Sequence, residues 1–169
     1  EGYSAAYNVS NAGSYDLNIQ LLGIHVQGSP YRVVVSGGLT DPSSCIVRGS
    51  AKTVLGVTGT FTLLARDRFG NFRTSGGENV QIFVLGPYNV VSRTSDLRNG
   101  QYILEFDIKN ATGPANYSMS LTILGQDTPG SPFVTYIGYG FDFVSFDSNQ
   151  PFALNGASFL VPKTSQKPG

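Results

Sequence analysis

Stretches of alternating apolar and polar residues constrain this chain most strongly. They run through 61–65, 80–84, 102–108 and 117–123, and a period of two places the apolar side chains of each stretch on one face of a strand. Turn-forming clusters such as DRFGN, SGGEN and ATGPA separate the stretches, and no window has the spacing and caps of a helix. Short strands at intervals of about ten residues are typical of an antiparallel sandwich. The alternation predicts these core residues: Phe61, Leu63, Val80, Ile82, Val84, Tyr102, Leu104, Phe106, Tyr117, Met119 and Leu121.

The phrase GSPY at 28–31 returns as GSPF at 130–133, and the residues before the two phrases also correspond. An internal period near one hundred residues indicates tandem domains of sandwich size. We therefore predict the C-terminal strands of a first unit in residues 1–35 and a complete unit in residues 36–138. The aligned positions are Tyr3, Ala5 and Tyr7 with Tyr102, Leu104 and Phe106, then Tyr15, Leu17 and Ile19 with Tyr117, Met119 and Leu121.

Three ordered motifs mark the complete unit: ARDRFGNFRTSGGENVQIFVLGP, then Gly-x-Tyr-x-Leu-x-Phe from Gly100, then GSPF before the last strand. Together they resemble the immunoglobulin-like repeat of filamins, which is partial in 2–35 and complete in 36–138. Ile108 stands where many such repeats have proline, and the opening of the unit lacks their GPG step. The resemblance implies an all-β, antiparallel immunoglobulin-like sandwich with seven strands, A to G. Their expected positions are 43–49, 57–66, 79–86, 90–95, 101–108, 115–124 and 132–138.

Residues 139–169 do not fit this repeat. Their segment FDFVSFDSNQPFALNGASFLV resembles the opening strand of legume-lectin-like jelly rolls, in Phe-x-Phe, Asn-Gln-Pro and a later glycine. That resemblance implies a carbohydrate-binding domain beyond residue 169, with no sugar ligand in this chain. The alternative is an extended linker that lies along a neighbouring domain, because so short a segment does not fold alone.

Strand C has apolar residues on the face that a sandwich usually leaves polar. If Val80, Ile82 and Val84 point inward, Phe83 and Leu85 point outward. The filamin resemblance implies that partner peptides add beside strand C as an extra strand, in a groove shared with strand D. The alternative is that the adjoining repeat or the 139–169 segment covers Phe83 and Leu85. The predicted groove residues are Gln81, Phe83, Leu85, Val90, Val91 and Arg93.

Catalytic chemistry is not indicated. His25 is predicted to be a solvent-facing loop residue, and Asp67 is predicted to bond the backbone of its own turn, with Gly70 or Asn71 at positive φ. Cys45 has no cysteine to pair with inside the chain, so it is either a small buried apolar residue or paired with a cysteine elsewhere. The chain has no paired carboxylates, Cys/His cluster, phosphate loop or nucleophile elbow. We expect no enzyme, no metal site and no cofactor.

The charge content argues against two classes of binding partner. Charged residues make up 13% of the 169 residues and the net charge is zero, so neither nucleic acid nor an anionic membrane is an expected partner. No apolar run reaches the roughly 18 residues of a membrane span. Three N-glycosylation sequons occur, at Asn8, Asn110 and Asn116, and they favour an exterior protein.

These features predict a structural and interaction module of a large multi-domain extracellular or cell-surface protein, acting as a rod-like spacer, adhesive or scaffold. One alternative is an intracellular, actin-linked crosslinker of the cytoskeleton that binds peptides at strand C. Another is an ancillary module of a secreted lectin or enzyme. The expected partners are neighbouring domains of the same chain and proteins that bind by strand addition, with carbohydrate only through a domain beyond residue 169.

Overall fold

The computed structural model describes residues 2–49, 52–139, 152–154 and 157–159. Within them the regular structure consists of strands and a single turn of 3-10 helix at Pro42–Ser44. The strands are β1 (Gly13–Leu17), β2 (Gln20–Leu21), β3 (Ile24–His25), β4 (Tyr31–Val35), β5 (Ile46–Gly49), β6 (Lys52–Val54), β7 (Gly59–Leu64), β8 (Val80–Leu85), β9 (Asn89–Asp96), β10 (Gln101–Lys109), β11 (Ala115–Ile123), β12 (Gln126–Asp127), β13 (Phe133–Gly138), β14 (Phe152–Leu154) and β15 (Ala157–Phe159).

The complete unit is a sandwich of two sheets. One sheet has the order β5-β7-β10-β9, and the other has β12-β11-β13-β6 with β8 paired to the free side of β11. These sheets are the ABED and CFG layers of an immunoglobulin-like domain, and the strands lie within a few residues of their predicted positions. The predicted all-β immunoglobulin-like fold is confirmed.

The core between the sheets is the one that the alternation predicts. Ten of the predicted residues are buried, and Val84, the remaining one, is half-buried and packs against them. Each large side chain contributes roughly 1.5–3 kcal/mol on burial. Phe61 ties the layers together, because its ring lies 6.1 Å from that of Phe106 and 5.4 Å from that of Phe133. The core also includes Cys45, Ile123 and Ile137.

Strand A differs from its prediction as one strand over 43–49. Pro42–Ser44 form the 3-10 turn, because Pro42 has no N–H for a ladder and the Asp41 carboxylate accepts from the Ser43 N–H at 3.1 Å. The strand that follows then divides between the layers. Its first part, β5, is antiparallel to β7, whereas β6 is parallel to β13 in the other sheet.

The hairpins of residues 13–35 repeat those of residues 115–137 with a constant offset. Tyr15 pairs with Val33 as Tyr117 pairs with Thr135, which is an offset of 102 in both strands. The repeated serine has the same role in both copies. Ser29 Oγ accepts from the Ile19 N–H at 2.9 Å, and Ser131 Oγ accepts from the Leu121 N–H at 2.8 Å. The Gly-Ser-Pro motif therefore makes the same stabilising contact in both hairpins.

Residues 2–12, however, form no strand, although Tyr3, Ala5 and Tyr7 align with β10. The reason is that β10 is held on both sides, by β7 and by β9, and the described residues contain no counterpart of either strand in the first unit. Tyr3 is accordingly 93% exposed. That 1–35 belongs to a sister unit stays a prediction that the matching hairpins support.

The chain divides into two units, residues 1–138 and residues 139–169. In residues 139–169 the described strands are the antiparallel pair β14 and β15, in which Ala153 lies opposite Ser158. The Phe-x-Phe and Asn-Gln-Pro steps of the lectin-like resemblance lie outside the described residues. That resemblance, and the alternative of an extended linker, both stay predictions.

Candidate functional site

The turn that follows β7 is built around the buried carboxylate of Asp67. Its Oδ1 accepts from the N–H groups of Phe69 and Asn71, at 2.9 Å each. Gly70 supplies the positive φ, at 84°, so the predicted backbone-bonding role of Asp67 is confirmed. A hydrogen bond from the side-chain amide of Asn71, together with one from the Gly38 N–H, lowers the pKa of Asp67 to about 2. This effect outweighs burial, which by itself would raise the pKa.

The same turn holds the segment between β4 and the 3-10 turn, which is the predicted link between the two repeats. Asp67 Oδ2 accepts from the Gly38 N–H at 2.8 Å. Arg73 donates from Nη1 to the carbonyls of Gly37 and Gly38, at 3.2 and 2.5 Å. Position 37 has no room for a side chain, because a Cβ there would lie 2.7 Å from the carbonyl oxygen of Phe72. The link is thus bonded along its backbone.

Asn71 extends these contacts to the segment before β1. Its Oδ1 accepts from the Ala12 N–H at 2.8 Å, and its Nδ2 donates to the Ser10 carbonyl at 2.7 Å. Nδ2 also donates to Asp67 Oδ2 at 2.9 Å. One side chain therefore connects the segment before β1 to the turn after β7. We name the set formed by residues 10–12, 37–38 and 67–73 the joint.

Glu78 connects the joint to the core of the complete unit. Its carboxylate accepts from Thr40 Oγ1 at 2.5 Å, from the hydroxyl of Tyr102, and from Arg73 Nε at 3.3 Å. Burial and the neighbouring Glu78 raise the pKa of the Tyr102 hydroxyl, so it stays a donor. Hydrogen bonds through Glu78 therefore connect Arg73 of the joint to Tyr102, whose ring is buried between the two sheets.

One edge of the sandwich is open. In the described part of the chain β8 pairs with β11 alone. The Leu124 N–H donates to the Asn79 carbonyl at 2.8 Å, so the backbone groups of position 79 face β11. On the opposite side of β8, the Ile82 carbonyl accepts from Ser92 Oγ at 3.4 Å. By alternation the N–H and C=O groups of Val80, Ile82 and Val84 face away from β11. They form a backbone edge to which another strand could bond.

The six predicted groove residues do not share one surface. Gln81, Phe83 and Leu85 lie on the outer face of the sheet that contains β8, with Phe83 51% and Leu85 72% exposed.

On β9, Val90 packs against the core, whereas Val91 and Arg93 lie on the outer face of the other sheet. Arg93 is bound there to Glu105 at 2.7 Å. Only Val90 faces the space between β8 and β9, so the predicted groove is divided.

The remaining candidate residues have simpler surroundings. His25 is exposed and lies 2.9 Å from Ser29 Oγ. Cys45 is buried and unpaired, and burial raises the pKa of its thiol, in keeping with the apolar interpretation. Asn8, Asn110 and Asn116 are all exposed. The described residues contain no cluster of three or more metal-ligating side chains and no helix able to cross a membrane.

Sequence reasoning missed the joint. It gave Asp67 and Asn71 only a role within their own turn, although the DRFGN motif contains both residues. The available signal was the position of that motif, in a turn at the end of the sandwich where the chain enters from β4. No spacing rule identifies Ser10 as the acceptor, because it lies 61 residues away.

The fold and the repeated hairpins define an immunoglobulin-like sandwich repeat. The model of the Filamin/ABP280 repeat matches residues 39–134, and the chain belongs to that family. It is a structural and interaction module, of the kind that occurs within multi-domain chains and binds protein partners.

Among curated proteins, the rat E3 ubiquitin-protein ligase TRIM71 is 27% identical over 124 residues, which is 68% of this chain and 14% of that protein. Among solved structures, the Lin-41 filamin domain has 21% identity and a TM-score of 0.51, with 62% of this chain and all of that domain covered. The Escherichia coli adhesin FdeC has 19% identity and a TM-score of 0.54, covering 76% of this chain and 41% of the adhesin.

Proposed function

We propose that this chain is a segment of a rod-like spacer on the cell surface or outside the cell, in which the joint holds successive filamin-type units in one orientation. The observation that carries the proposal is the Asn71 side chain, which bonds both Ser10 and Ala12 of the first unit. The proposed role is non-catalytic.

The joint restricts rotation because the side chains of Asp67 and Arg73 bond the backbone groups of the link, Gly37 and Gly38. Turning one unit relative to the other would break the bonds of Gly38 to Asp67 and to Arg73. These bonds are exposed or part-buried, so each contributes about 0.5–1.5 kcal/mol, the net value of an ordinary hydrogen bond. Two adjacent glycines, Gly37 and Gly38, have wide conformational freedom unless their backbone groups are bonded. A spacer with such a joint keeps its length and direction.

The exterior location is supported by the three exposed sequons and by the likeness in fold to a bacterial adhesin. The relative TRIM71 supports the cytoplasmic alternative instead. Mass spectrometry of native material separates the two: glycan on Asn8, Asn110 or Asn116 supports the exterior, and unmodified asparagines favour the cytoplasm.

Asn71→Ala is expected to release the first unit while the sandwich stays folded. The Ala12 amide loses its acceptor, so its hydrogen exchange should become faster on the order of fivefold, as the loss of one net hydrogen bond predicts. Exchange of core amides such as Leu104 should change much less. Exchange is followed by NMR or by mass spectrometry of the whole chain.

The matched control is Asn99→Ala, because Asn99 Oδ1 accepts from the Gln101 N–H within its own turn and touches neither Ser10 nor Ala12. Equal exchange at Ala12 in the wild type and Asn71→Ala would contradict a joint that fixes the units.

A second candidate function, capture of a partner strand at β8, is favoured by the open edge and by the exposed Phe83. A peptide added there would bond the backbone of Val80 and Val84, since the Ile82 carbonyl already accepts from Ser92, and alternate side chains would contact Phe83 and Leu85. This role is compatible with a spacer in either compartment.

Phe83→Asp is expected to weaken the binding of such peptides at least tenfold, as about 1.4 kcal/mol of lost contact implies. Because Phe83 is half exposed, the free energy of unfolding should change by no more than ~0.5 kcal/mol. The probe is a set of extended peptides selected on the wild-type chain from a displayed library, with affinity measured by calorimetry.

Val91→Asp is the control, since Val91 is similarly exposed but lies on the outer face of the other sheet. If the two variants lose affinity equally, the peptides do not bind at the β8 edge. A severe loss of stability in Phe83→Asp would show instead that this ring is packed against other residues.

A further inference from the structure

The outer face of the sheet formed by β8, β11 and β13 has exposed apolar residues on β8 and β13, on either side of the polar residues of β11. At equivalent positions the first unit has Asp16 opposite Arg32, whereas the complete unit has Ser118 opposite Val134. A charged cross-strand pair is thus replaced by a hydroxyl and an aliphatic side chain. The exposed apolar residues of this face are Phe83, Leu85, Val134 and Tyr136.

A glycosylation sequon lies at the start of β11, the strand between β8 and β13. Asn116 and Ser118 both point outward, and Tyr117 between them is buried in the core. The first unit has Ser14 and Asp16 at the two outward positions and therefore no sequon. Ser118, which completes the sequon, thus stands in place of the charged Asp16.

Asn116 lies directly across from an exposed aromatic ring, that of Tyr136. The Leu121 carbonyl accepts from the Thr128 N–H at 2.9 Å, so the odd positions of β11 bond on the β12 and β13 side and the even positions on the β8 side. Asn116 and Tyr136 are therefore a non-hydrogen-bonded pair, in which Cα atoms are about 4.5 Å apart and side chains are closest. Tyr136 is 38% exposed.

We infer that Asn116 carries an N-linked glycan whose first sugar ring packs on Tyr136 and whose chain covers the exposed Val134 beside it. In the modification, Asn116 Nδ2 bonds to C1 of a sugar from a lipid-linked diphosphate oligosaccharide. The C1–O bond breaks with its electron pair going to the diphosphate, and one amide proton leaves to solvent. The C–H face of a sugar ring suits the electron-rich face of an aromatic ring, and the sugar hydroxyls stay in water.

This inference rests on the exterior location in the proposed function, and its test separates the two. The full chain, with Asn8→Gln and Asn110→Gln so that one sequon remains, is secreted from a eukaryotic cell. Occupancy of Asn116 is measured by peptide mass spectrometry. Tm is then measured for the intact glycoprotein, for protein trimmed to one N-acetylglucosamine, and for an unglycosylated reference, Asn116→Asp.

We expect Asn116 to be occupied, the intact and trimmed forms to melt a few degrees above the reference, and Tyr136→Ser to abolish that difference. An unoccupied Asn116, or a glycan-dependent Tm difference that is the same with Tyr136→Ser, would overturn the inference. Ala12 exchange on the same samples reports the joint independently, so either proposal can fail while the other holds.

Discussion

Alanine at position 100 is expected to destabilise the complete unit by about 3 kcal/mol or more, since left-handed strain of 1–2 kcal/mol is added to a backbone clash. Gly100 has φ +81°, and a Cβ there would lie 2.3 Å from the carbonyl oxygen of Arg73. The backbone around the clash cannot shift without breaking hydrogen bonds. The Gly100 carbonyl accepts from the Ala65 N–H at 2.8 Å, and Arg73 N–H donates to the Ala65 carbonyl at 3.0 Å.

The control for this substitution is Gly125→Ala. Gly125 has a similar φ of +75°, but a Cβ there meets no atom within 4 Å. It should therefore lose only the conformational part, roughly 1 kcal/mol. Urea denaturation followed by tyrosine fluorescence gives both values. If Gly100→Ala and Gly125→Ala lose the same free energy, the approach to Arg73 is not what requires glycine.

Glu78→Ala is expected to cost about 2–3 kcal/mol, because it leaves the Tyr102 hydroxyl and the Arg73 guanidinium without their shared acceptor. The Glu78 side chain is only 9% exposed, but Arg73 is 19% exposed and can recover some hydration, which keeps the loss at the lower end of the range for buried pairs. The loss should appear in the free energy of unfolding and, through Arg73, as faster exchange at Gly38.

Glu105→Ala is the matched control, because Glu105 pairs with Arg93 where both side chains are substantially exposed. Exposed ion pairs contribute little, so its loss should be small. If both variants lose the same free energy, the burial of Glu78 adds nothing.

Acid provides a second test of the same carboxylate. Burial raises the pKa of Glu78, but hydrogen bonds from Thr40 and Tyr102 outweigh it, so the pKa lies below the ordinary 4.5. Its contribution is therefore present above pH 4.5 and is lost as the pH falls through the folded value. The wild type should lose more stability below that pH than Glu78→Ala does. Parallel acid profiles for the two proteins would contradict this.

For the predicted groove, the local pattern determined side-chain direction on each strand but not how the two strands lie relative to each other. Alternation correctly placed Phe83 and Leu85 on the outer face of β8, because side-chain direction in a strand follows from backbone geometry alone. It could not place Val91 and Arg93 relative to them, because β8 and β9 belong to different sheets. The outer faces of two packed sheets point in opposite directions, so residues that are outward on both strands do not meet.

The sheet that each part of strand A joins was likewise not predictable from the local pattern. Its apolar residues identified a strand, but β5 and β6 join different layers, and the partner of each is a strand distant in sequence.

The sequence alone determined the strands, the buried face of each and the repeated hairpin, since these depend on side-chain alternation and on turn residues within a few positions. Only the tertiary structure decided which edge stays open and how Asn71 binds Ser10 and Ala12. The physical reason is that a hydrogen bond between distant residues needs both to be brought to about 3 Å by the rest of the fold, and no local pattern records that distance.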